Sequence, residues 1–250
     1  MQKVRFSNSR GQDLAGWLHL GSGRRDPGPT VLLCHGMMST KDGRKQVALA
    51  EALEESGFSV LRFDFSFCGE SGGRFEEITF TQEVDDLRCA AGWARRNGAS
   101  RVGLIGSSMG GAVAILYARE DPAVKALVTM AAVARPARLA DRMEDLEAKM
   151  AQWRQEGYTF GAEGAAGRAF FEDVQRLDVL AAARNVSAPM LIIHGAGDEV
   201  VPVEEAHSLY QAATAVKCLK ILPEADHRFT REEHLREIVV STRTWFQRYL

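Results

Sequence analysis

The chain has 250 residues, of which 46% are hydrophobic and 26% charged, and its formal net charge is −2. This length and balance are typical of a soluble globular protein with one large buried core. Positive and negative charges are mixed along the whole chain, which argues against a nucleic-acid-binding surface, and no apolar run approaches the ~18 residues that a membrane span requires. We therefore expect a single domain over residues 1–250 with no membrane span.

The four cysteines are scattered along the chain, with no CxxC motif and no metal-ligand spacing. They are expected to be reduced thiols, and no metal site is predicted. The first six residues contain no apolar segment of the kind found in secretory signals. Both observations favour a cytoplasmic protein.

Two segments at the start of the chain, 4–7 and 14–20, alternate apolar and polar residues around a turn, which predicts an antiparallel hairpin. Six short apolar runs follow, each typical of a strand buried on both faces: 31–34, 60–63, 102–105, 126–128, 190–193 and 219–222. Helical patterns separate most of these runs, at 46–55, 82–96, 109–119, 204–213 and 232–250. The alternation predicts an α/β fold with a mostly parallel eight-stranded sheet and helices on both faces.

One stretch, between Val133 and Val186, has no strand pattern. Apolar residues recur in it at helical spacing and predict a helix: Leu139, Met143, Leu146, Met150 and Trp153. A glycine-rich segment, 157–167, and a second helical piece around Phe170 follow. We predict a helical insertion at about 134–185, at the carboxyl ends of the strands, as either a substrate-facing lid or a packed decoration. The apolar stripe could equally form a dimer contact, so a monomer and a homodimer both stay open.

The sequence Gly106-Ser107-Ser108-Met109-Gly110 matches the nucleophile-elbow pattern G-x-S-x-G. Residues 69–73 match it as well, but only Ser108 lies between a predicted strand and a predicted helix. An elbow needs glycine at both ends because the nucleophile adopts a strained backbone in a sharp strand-to-helix turn. We therefore predict Ser108 as the nucleophile. Ser71 of the second match lacks this context, and Ser107 lacks the flanking glycines.

A serine nucleophile needs a base, and the base needs an acid that orients it. Asp198 follows the predicted strand 190–193 in a glycine-rich turn, and His227 follows the predicted strand 219–222. The order Ser108, Asp198, His227 is the chain order of this constellation in α/β sheets. Each residue has a simpler interpretation, Asp198 as a turn-former and His227 as a surface residue. Asp226 is the rival acid, although its position next to His227 makes a correct orientation awkward.

The oxyanion of such a reaction needs two backbone N–H donors. We predict that Met109, directly after the nucleophile, supplies one and that Met37, in the loop after the strand 31–34, supplies the other. His35 in the same loop is expected to have a structural role. The glycine-rich segment 69–73 lacks both G-x-G-x-x-G and the P-loop lysine, so no cofactor is predicted.

Several short segments of the chain together resemble motifs of the α/β-hydrolase superfamily. They are His35-Gly36, 62–65 with 69–73, 106–110, 194–198 and 225–227. Within it the chain is most similar to small bacterial serine esterases of the cinnamoyl/feruloyl esterase kind, which are grouped with serine-aminopeptidase-like hydrolases. The resemblance implies Ser108, Asp198 and His227 as the catalytic triad. The chain departs from the usual sequence of this family at two places. Ser107 replaces the histidine that often precedes the nucleophile, and Phe67 with Cys68 replaces a G-x-G before the loop 69–73.

The main functional hypothesis is a cofactor-independent serine hydrolase that cleaves small carboxylic esters with short or aromatic acyl groups. Substrate contacts are expected from apolar and aromatic residues of the insertion: Met143, Tyr158, Phe160, Phe170 and Phe171. The alternative is a serine aminopeptidase or acyl-peptide hydrolase, whose substrate amine would pair with a carboxylate of the insertion: Glu144, Asp145, Glu147 or Glu163. A third hypothesis is a catalytically silent ligand-binding protein on the same fold.

Overall fold

The computed structural model describes residues 1–155 and 166–250. The strands are β1 Gln2–Ser7, β2 Asp13–His19, β3 Gly28–Cys34, β4 Ser59–Phe63, β5 Ala99–Ser107, β6 Val124–Met130, β7 Met190–Gly195 and β8 Lys217–Leu222. The helices are α1 Arg44–Glu55, α2 Phe80–Arg96, α3 Met109–Glu120, α4 Pro136–Asp141, α5 Met143–Gln155, α6 Arg168–Val174, α7 Val179–Arg184, α8 Glu204–Ala212 and α9 Glu232–Tyr249.

Within the described ranges the strands form one eight-stranded sheet, in the order β1-β2-β4-β3-β5-β6-β7-β8. β2 pairs antiparallel with both β1 and β4, whereas the other neighbours are parallel. The predicted mostly parallel sheet is thereby confirmed. Several strands extend beyond the apolar runs that predicted them. β5 continues to Ser107, for example, because Gly106 and Ser107 still pair with Thr129 and Met130 of β6.

Apolar side chains of the sheet point alternately into two cores, as the pleat of a strand requires. Along β3, Val31 and Leu33 belong to the core that α1 and α9 cover. Leu32 and Cys34 belong to the core on the opposite face, with α2, α3, α7 and α8. Because helices cover both faces, the loops at the carboxyl ends of the parallel strands are where a ligand can reach the sheet.

Among the described residues, four helices, α4 to α7, lie between β6 and β7, where the sequence predicts an insertion. α5 coincides with most of the apolar stripe, so the helix predicted there is present. The side chains of that stripe lie outside the described part of the structure, as do residues 156–165. The use of this segment as a lid stays a prediction.

In the described part of the chain, no helix combines the length and the apolar character needed to cross a membrane. The same residues contain no group of three or more histidine, cysteine, aspartate or glutamate side chains that could hold a metal ion. Cys34 and Cys68 are buried, Cys89 is half-buried and Cys218 is exposed, and all four are free thiols.

The core beside α2 contains an unusual acid, Glu83. Its side chain is completely buried, and neither carboxyl oxygen has a hydrogen-bond partner. Burial raises the pKa of Glu83 well above its usual range, and the nearby Asp86 acts in the same direction. Burial without a hydrogen-bond partner therefore favours the neutral form of the Glu83 side chain in the folded protein.

The contribution of this buried acid to folding stability falls with rising pH. Between the unfolded pKa of about 4.3 and the higher folded pKa, only the folded state holds the Glu83 proton, so the contribution of Glu83 to stability decreases by about 1.4 kcal/mol per pH unit. Glu83→Gln cannot ionise at this position. We expect its melting temperature to fall less between pH 5 and pH 9 than that of the wild type. The exposed Glu76→Gln is the matched control. Equal losses in wild type and Glu83→Gln would show that Glu83 is ionised in the fold.

Candidate active site

Ser108 lies in the turn between β5 and α3, and its backbone has φ +54°. This left-handed conformation is unfavourable for a residue with a side chain and is typical of a nucleophile elbow. A Cβ on Gly106 would lie 2.3 Å from the Gly110 carbonyl oxygen, and one on Gly110 would lie 2.2 Å from the His35 carbonyl oxygen. Close backbone packing therefore requires both glycines. The Ser108 N–H donates to the Met130 carbonyl oxygen at 2.9 Å, which fixes the turn to β6.

The loops after β7 and β8 lie directly against each other. The Gly197 N–H donates to the Ala225 carbonyl oxygen at 3.1 Å. Gly195 leaves no room for a side chain, because a Cβ there would lie 2.1 Å from the same oxygen. This contact brings together the two loops that carry Asp198 and His227.

Ser108, His227 and Asp198 form a continuous hydrogen-bonded chain. Ser108 Oγ lies 3.1 Å from His227 Nε2, and Nδ1 of the same ring lies 2.8 Å from Asp198 Oδ2. Because an ionised carboxylate only accepts, Nδ1 carries the hydrogen, and a neutral ring presents its unprotonated Nε2 to the serine. The His227 side chain is 11% exposed, while that of Asp198 is completely buried. The arrangement is suited to removing the Ser108 proton during nucleophilic attack.

The Asp198 carboxylate has donors on both oxygens. Oδ1 accepts from the backbone N–H groups of Val200 at 2.9 Å and Val201 at 2.8 Å, and Oδ2 also lies 3.2 Å from His194 Nε2. Burial alone would raise the pKa of Asp198, but the charge of His227 and the hydrogen bonds from His194, His227 and Val201 hold it well below its usual range. Asp198 is therefore ionised at neutral pH and can hold His227 in one tautomer.

The rival residues have other partners. Ser71 Oγ donates to the Asp64 carbonyl oxygen at 2.7 Å and accepts from the Ala15 N–H at 2.9 Å, which ties its loop to β2. The Asp226 carboxylate accepts from the Thr230 N–H at 2.8 Å and from the Thr230 hydroxyl at 2.6 Å. Both residues therefore stabilise turns in this structure.

The loop after β3 passes close to the nucleophile. A Cβ on Gly36 would lie 3.2 Å from Ser108 Cβ. The His35 ring anchors this loop, because its Nε2 accepts from the Phe65 N–H at 3.0 Å and its Nδ1 donates to the Gly36 carbonyl oxygen at 2.8 Å. Burial lowers the pKa of His35, which keeps the ring neutral for this pair of contacts. The structural role predicted for His35 is confirmed.

The two predicted oxyanion donors are next to residues of the elbow region, since Met109 follows Ser108 and Met37 follows Gly36. Met109 is the first residue of α3, where a backbone N–H has no acceptor within its own helix. Met37 follows Gly36 in the loop that approaches Ser108. The amino-terminal end of α3 adds a positive potential that favours negative charge nearby. The use of both N–H groups as oxyanion donors stays a prediction.

A family model described as Hydrolase_4, serine aminopeptidase S33, matches residues 25–176 and 168–234. The chain belongs to this hydrolase family. A 31.7 kDa protein of the traX-finO intergenic region of Escherichia coli is 27% identical over 265 aligned positions, which cover 89% of this chain and 91% of that protein.

Solved structures of α/β hydrolases superpose over almost the whole chain. Est1E from Butyrivibrio proteoclasticus, with ferulic acid bound, has a TM-score of 0.82 at 22% identity and covers 98% of both chains. The esterase domain of a Rhodothermus marinus protein has a TM-score of 0.77 at 27% identity, over 99% of this chain and 98% of that one. The α/β-hydrolase fold and the esterase-like resemblance predicted from the sequence are confirmed.

The sequence analysis did not single out His194, a second histidine that lies at the end of β7, four residues before Asp198. The side chain is completely buried, and its Nε2 lies 2.8 Å from the Val201 carbonyl oxygen. Since a carbonyl only accepts, Nε2 carries the hydrogen, and the same nitrogen lies 3.2 Å from Asp198 Oδ2. The four-residue spacing between His194 and Asp198, at the end of one strand, was the available signal.

Lys45 is a further residue that the sequence analysis did not single out. Its Nζ donates to Ser107 Oγ at 2.7 Å, directly beside the nucleophile. The sequence feature that could have pointed to Lys45 is Ser107, because a serine in place of the usual histidine leaves space beside the nucleophile for another side chain.

The insertion residues predicted to contact substrate are only partly described. Tyr158 and Phe160 lie outside the described residues, as does the side chain of Met143. Phe170 of α6 is completely buried, and its ring centroid lies 5.9 Å from that of Phe80 in α2. Phe171 packs edge-on against Phe170 and is 40% exposed. The predicted substrate contacts of these residues stay predictions.

Proposed function

We propose that this protein is a cofactor-independent serine hydrolase that cleaves carboxylic esters through an acyl-enzyme. The observation that carries the proposal is the hydrogen-bonded chain from Ser108 through His227 to Asp198, with its nucleophile on a strained elbow. Membership of a hydrolase family and the esterases among the similar folds support it.

In the first half of the reaction, Ser108 Oγ attacks the ester carbonyl carbon while His227 Nε2 takes the hydroxyl proton. The carbonyl oxygen becomes an oxyanion, which the N–H groups of Met37 and Met109 stabilise. Asp198 keeps the imidazole in the Nδ1–H tautomer and stabilises the imidazolium that forms. His227 then protonates the leaving alkoxide, the C–O bond breaks, and an acyl group remains on Ser108.

In the second half, a water molecule replaces the alcohol. His227 Nε2 removes one of its protons, and the resulting nucleophile attacks the acyl carbon. The same two N–H groups stabilise the second oxyanion. Collapse of this intermediate releases the carboxylic acid and returns the proton to Ser108 Oγ, so the enzyme needs no other reagent.

We infer a preference for short or aromatic acyl groups. The insertion is rich in aromatic and thioether side chains, which suit an apolar acyl group held by few polar contacts. Est1E, a protein of the same fold, was solved with ferulic acid, an aromatic acid, bound to it. Esters of hydroxycinnamic acids are therefore included among the substrates to be tested.

The alternative is cleavage of amides, which the description of the family as serine aminopeptidases favours. An aminopeptidase needs a carboxylate that pairs with the amino group of its substrate. Of the predicted candidates, Asp145 lies 3.6 Å from Arg142, with which it pairs, and Glu147 is exposed. Glu163 and the side chain of Glu144 lie outside the described residues. Asp145 and Glu147 thus offer no desolvated partner for an amine.

A substrate panel tests the proposed function. It contains p-nitrophenyl esters of increasing acyl length, methyl hydroxycinnamates and aminoacyl p-nitroanilides, each assayed with the wild-type protein. We expect kcat/KM to be highest for a short or aromatic ester. A higher kcat/KM for the anilides than for every ester would establish the peptidase alternative, and no turnover at all would favour a silent binding protein.

The aromatic pair of α6 allows a prediction about the lid. Phe170→Ala removes a completely buried ring and is expected to destabilise the protein by about 3–5 kcal/mol. Phe171→Ala removes a partly exposed ring and should leave the melting temperature nearly unchanged. We expect Phe171→Ala to change the ratio of kcat/KM between a long-chain and an acetyl p-nitrophenyl ester. An unchanged ratio would remove Phe171 from the substrate site.

A further inference from the structure

Lys41 lies in the loop after β3, the same loop that contains the proposed oxyanion donor Met37. Only 2% of the Lys41 side chain is exposed, and its Nζ lies 2.8 Å from Oδ2 of Asp64. The Asp64 side chain, directly after β4, is completely buried. The Lys41 backbone N–H donates to the other oxygen, Oδ1, at 2.7 Å. One carboxylate therefore binds both the backbone and the side chain of Lys41.

Asp64 is itself attached to the sheet. Its backbone N–H donates to the Ala15 carbonyl oxygen of β2 at 2.9 Å, and its carbonyl oxygen accepts from the Ser71 hydroxyl at 2.7 Å. Oδ2 accepts a further hydrogen bond from the Glu70 N–H at 3.0 Å. Gly69 packs against the carboxylate so closely that a Cβ there would lie 2.4 Å from Oδ2. The carboxylate is therefore held in one position, as an anchor for a loop requires.

The other end of the loop after β3 is attached directly beside Asp64. His35 Nε2 accepts from the Phe65 N–H at 3.0 Å, so two adjacent residues bind the loop on either side of Met37. Between these two attachments, Met38 has φ +57°. This left-handed conformation costs free energy in a residue with a side chain, and it persists only where surrounding contacts enforce it. The two attachments are such contacts.

Two further carboxylates lie near Lys41 Nζ, Glu70 Oε2 at 2.9 Å and Asp42 Oδ2 at 3.2 Å. Burial alone would lower the pKa of Lys41, but hydrogen bonds to the surrounding carboxylates raise it above its usual value. The side chain is therefore an ammonium ion at neutral pH. A buried ion pair is often no more stable than an apolar pair of similar size. Stability alone thus explains this pair poorly, and a role in setting the geometry of the loop is favoured.

We propose that Lys41 is a positioning residue, whose ion pair with Asp64 holds the loop after β3 so that the Met37 N–H can stabilise the oxyanion. The inference rests on the proposed function, and in this account Lys41 transfers no proton and touches no substrate. Gly36 brings the loop to the nucleophile, because a Cβ on it would lie 3.2 Å from Ser108 Cβ. An N–H group must lie about 3 Å from the oxyanion to stabilise it, so a small displacement of the loop weakens this donor.

The test compares variants of Lys41 with a change at a second lysine. Lys41→Met removes the ammonium group, and Lys41→Arg keeps the charge. If Lys41→Met does not fold, it is combined with Asp64→Asn, so that no unpaired carboxylate stays buried. Lys3→Met is the matched control, because Lys3 of β1 lies 2.7 Å from Glu70, which also pairs with Lys41, but has no contact with the buried carboxylate. Melting curves identify the folded variants.

Two measurements are made on each folded variant. The first is steady-state kinetics with p-nitrophenyl acetate, together with the inhibition constant Ki of a trifluoromethyl ketone. Ser108 Oγ adds to the ketone carbonyl carbon, its proton passes to His227, and the ketone oxygen becomes an oxyanion like that of the tetrahedral intermediate. The second is hydrogen–deuterium exchange of the backbone amides of residues 35–41, which needs no substrate.

We expect Lys41→Met to lower kcat about 10- to 100-fold and to change KM less than about three-fold, because loss of a whole oxyanion donor costs about 10²–10³-fold in kcat. Ki of the ketone should rise by a factor similar to the fall in kcat. Amide exchange of residues 35–41 should become faster. Lys41→Arg should retain more of the wild-type kcat than Lys41→Met, and Lys3→Met should keep kcat, Ki and exchange close to the wild-type values.

An unchanged Ki in a folded variant without the Lys41 charge would overturn the inference even if kcat falls, because an effect on the oxyanion must appear in the ketone adduct. Unchanged amide exchange would contradict it as well, since the loop would then not depend on the ion pair. Failure of the proposed function is a separate outcome, in which the wild type hydrolyses no ester. Faster exchange in Lys41→Met would then still support the attachment of the loop by Lys41, and unchanged exchange would refute it.

Discussion

Ser108→Ala is expected to reduce ester turnover to a very small fraction of the wild-type rate. The triad acts as a unit, so loss of the nucleophile leaves at most the ~10³–10⁴-fold acceleration over water that an oxyanion hole and substrate binding supply. The change removes one oxygen atom from a half-buried residue and should not unfold the protein. Burst and steady-state release of p-nitrophenol from the purified variant measure the effect.

Ser71→Ala is the matched control, because Ser71 lies in the second G-x-S-x-G match of the same chain. Its hydroxyl contacts the Asp64 carbonyl oxygen and the Ala15 N–H, so we expect a lower melting temperature with turnover retained in the folded protein. Substantial turnover by Ser108→Ala, with loss of turnover in Ser71→Ala, would identify Ser71 as the nucleophile.

Asp198→Asn is expected to fold and to lower kcat by about 10⁴-fold, the magnitude seen when the triad aspartate of chymotrypsin-like enzymes is changed in the same way. An asparagine can donate to Nδ1 and so favour the tautomer that has its hydrogen on Nε2, facing Ser108. That tautomer cannot accept the serine proton. The backbone N–H groups of Val200 and Val201 still find an acceptor in the amide oxygen, so the loop should persist.

Asp226→Asn is the control for this change. Its carboxylate bonds the Thr230 N–H and hydroxyl, and an amide oxygen can keep one of these contacts, so we expect kcat to fall only a few-fold. Both variants are compared by steady-state kinetics at a pH where the wild type has its maximum. The opposite ranking of Asp198→Asn and Asp226→Asn would assign the acid to Asp226.

The sheet was predictable because burial on both faces leaves a simple pattern in the sequence. Runs such as 31–34 and 190–193 lie inside β3 and β7, and the five helices predicted outside the insertion, α1, α2, α3, α8 and α9, begin and end within two residues of their predicted bounds. α4 and α7 of the insertion had no predicted bounds. Strand ends were less predictable. β5 extends to Ser107 because backbone pairing with β6 continues after the apolar run has ended, and pairing depends on a neighbour that a local pattern does not contain.

The candidate triad was predictable because its parts lie at strand ends, and parallel strands place their carboxyl ends together. The residues that contact the triad from outside were not predicted. His194 contacts Asp198 through a turn of the chain, and Lys45 reaches Ser107 from a helix 62 positions earlier. Such contacts depend on three-dimensional packing and leave no periodic signal. The lid residues were singled out from composition alone, and composition does not give the direction of a side chain.

Covalent labelling of the wild-type protein with a fluorophosphonate tests the central claim most directly, because the reagent forms a stable bond only with an activated serine hydroxyl. Peptide mapping by mass spectrometry then locates the adduct among the serines of the chain. We expect a single adduct on Ser108, absent in Ser108→Ala and formed much more slowly in Asp198→Asn. An adduct on Ser71 or Ser107, or no adduct on the folded wild type, would contradict the account.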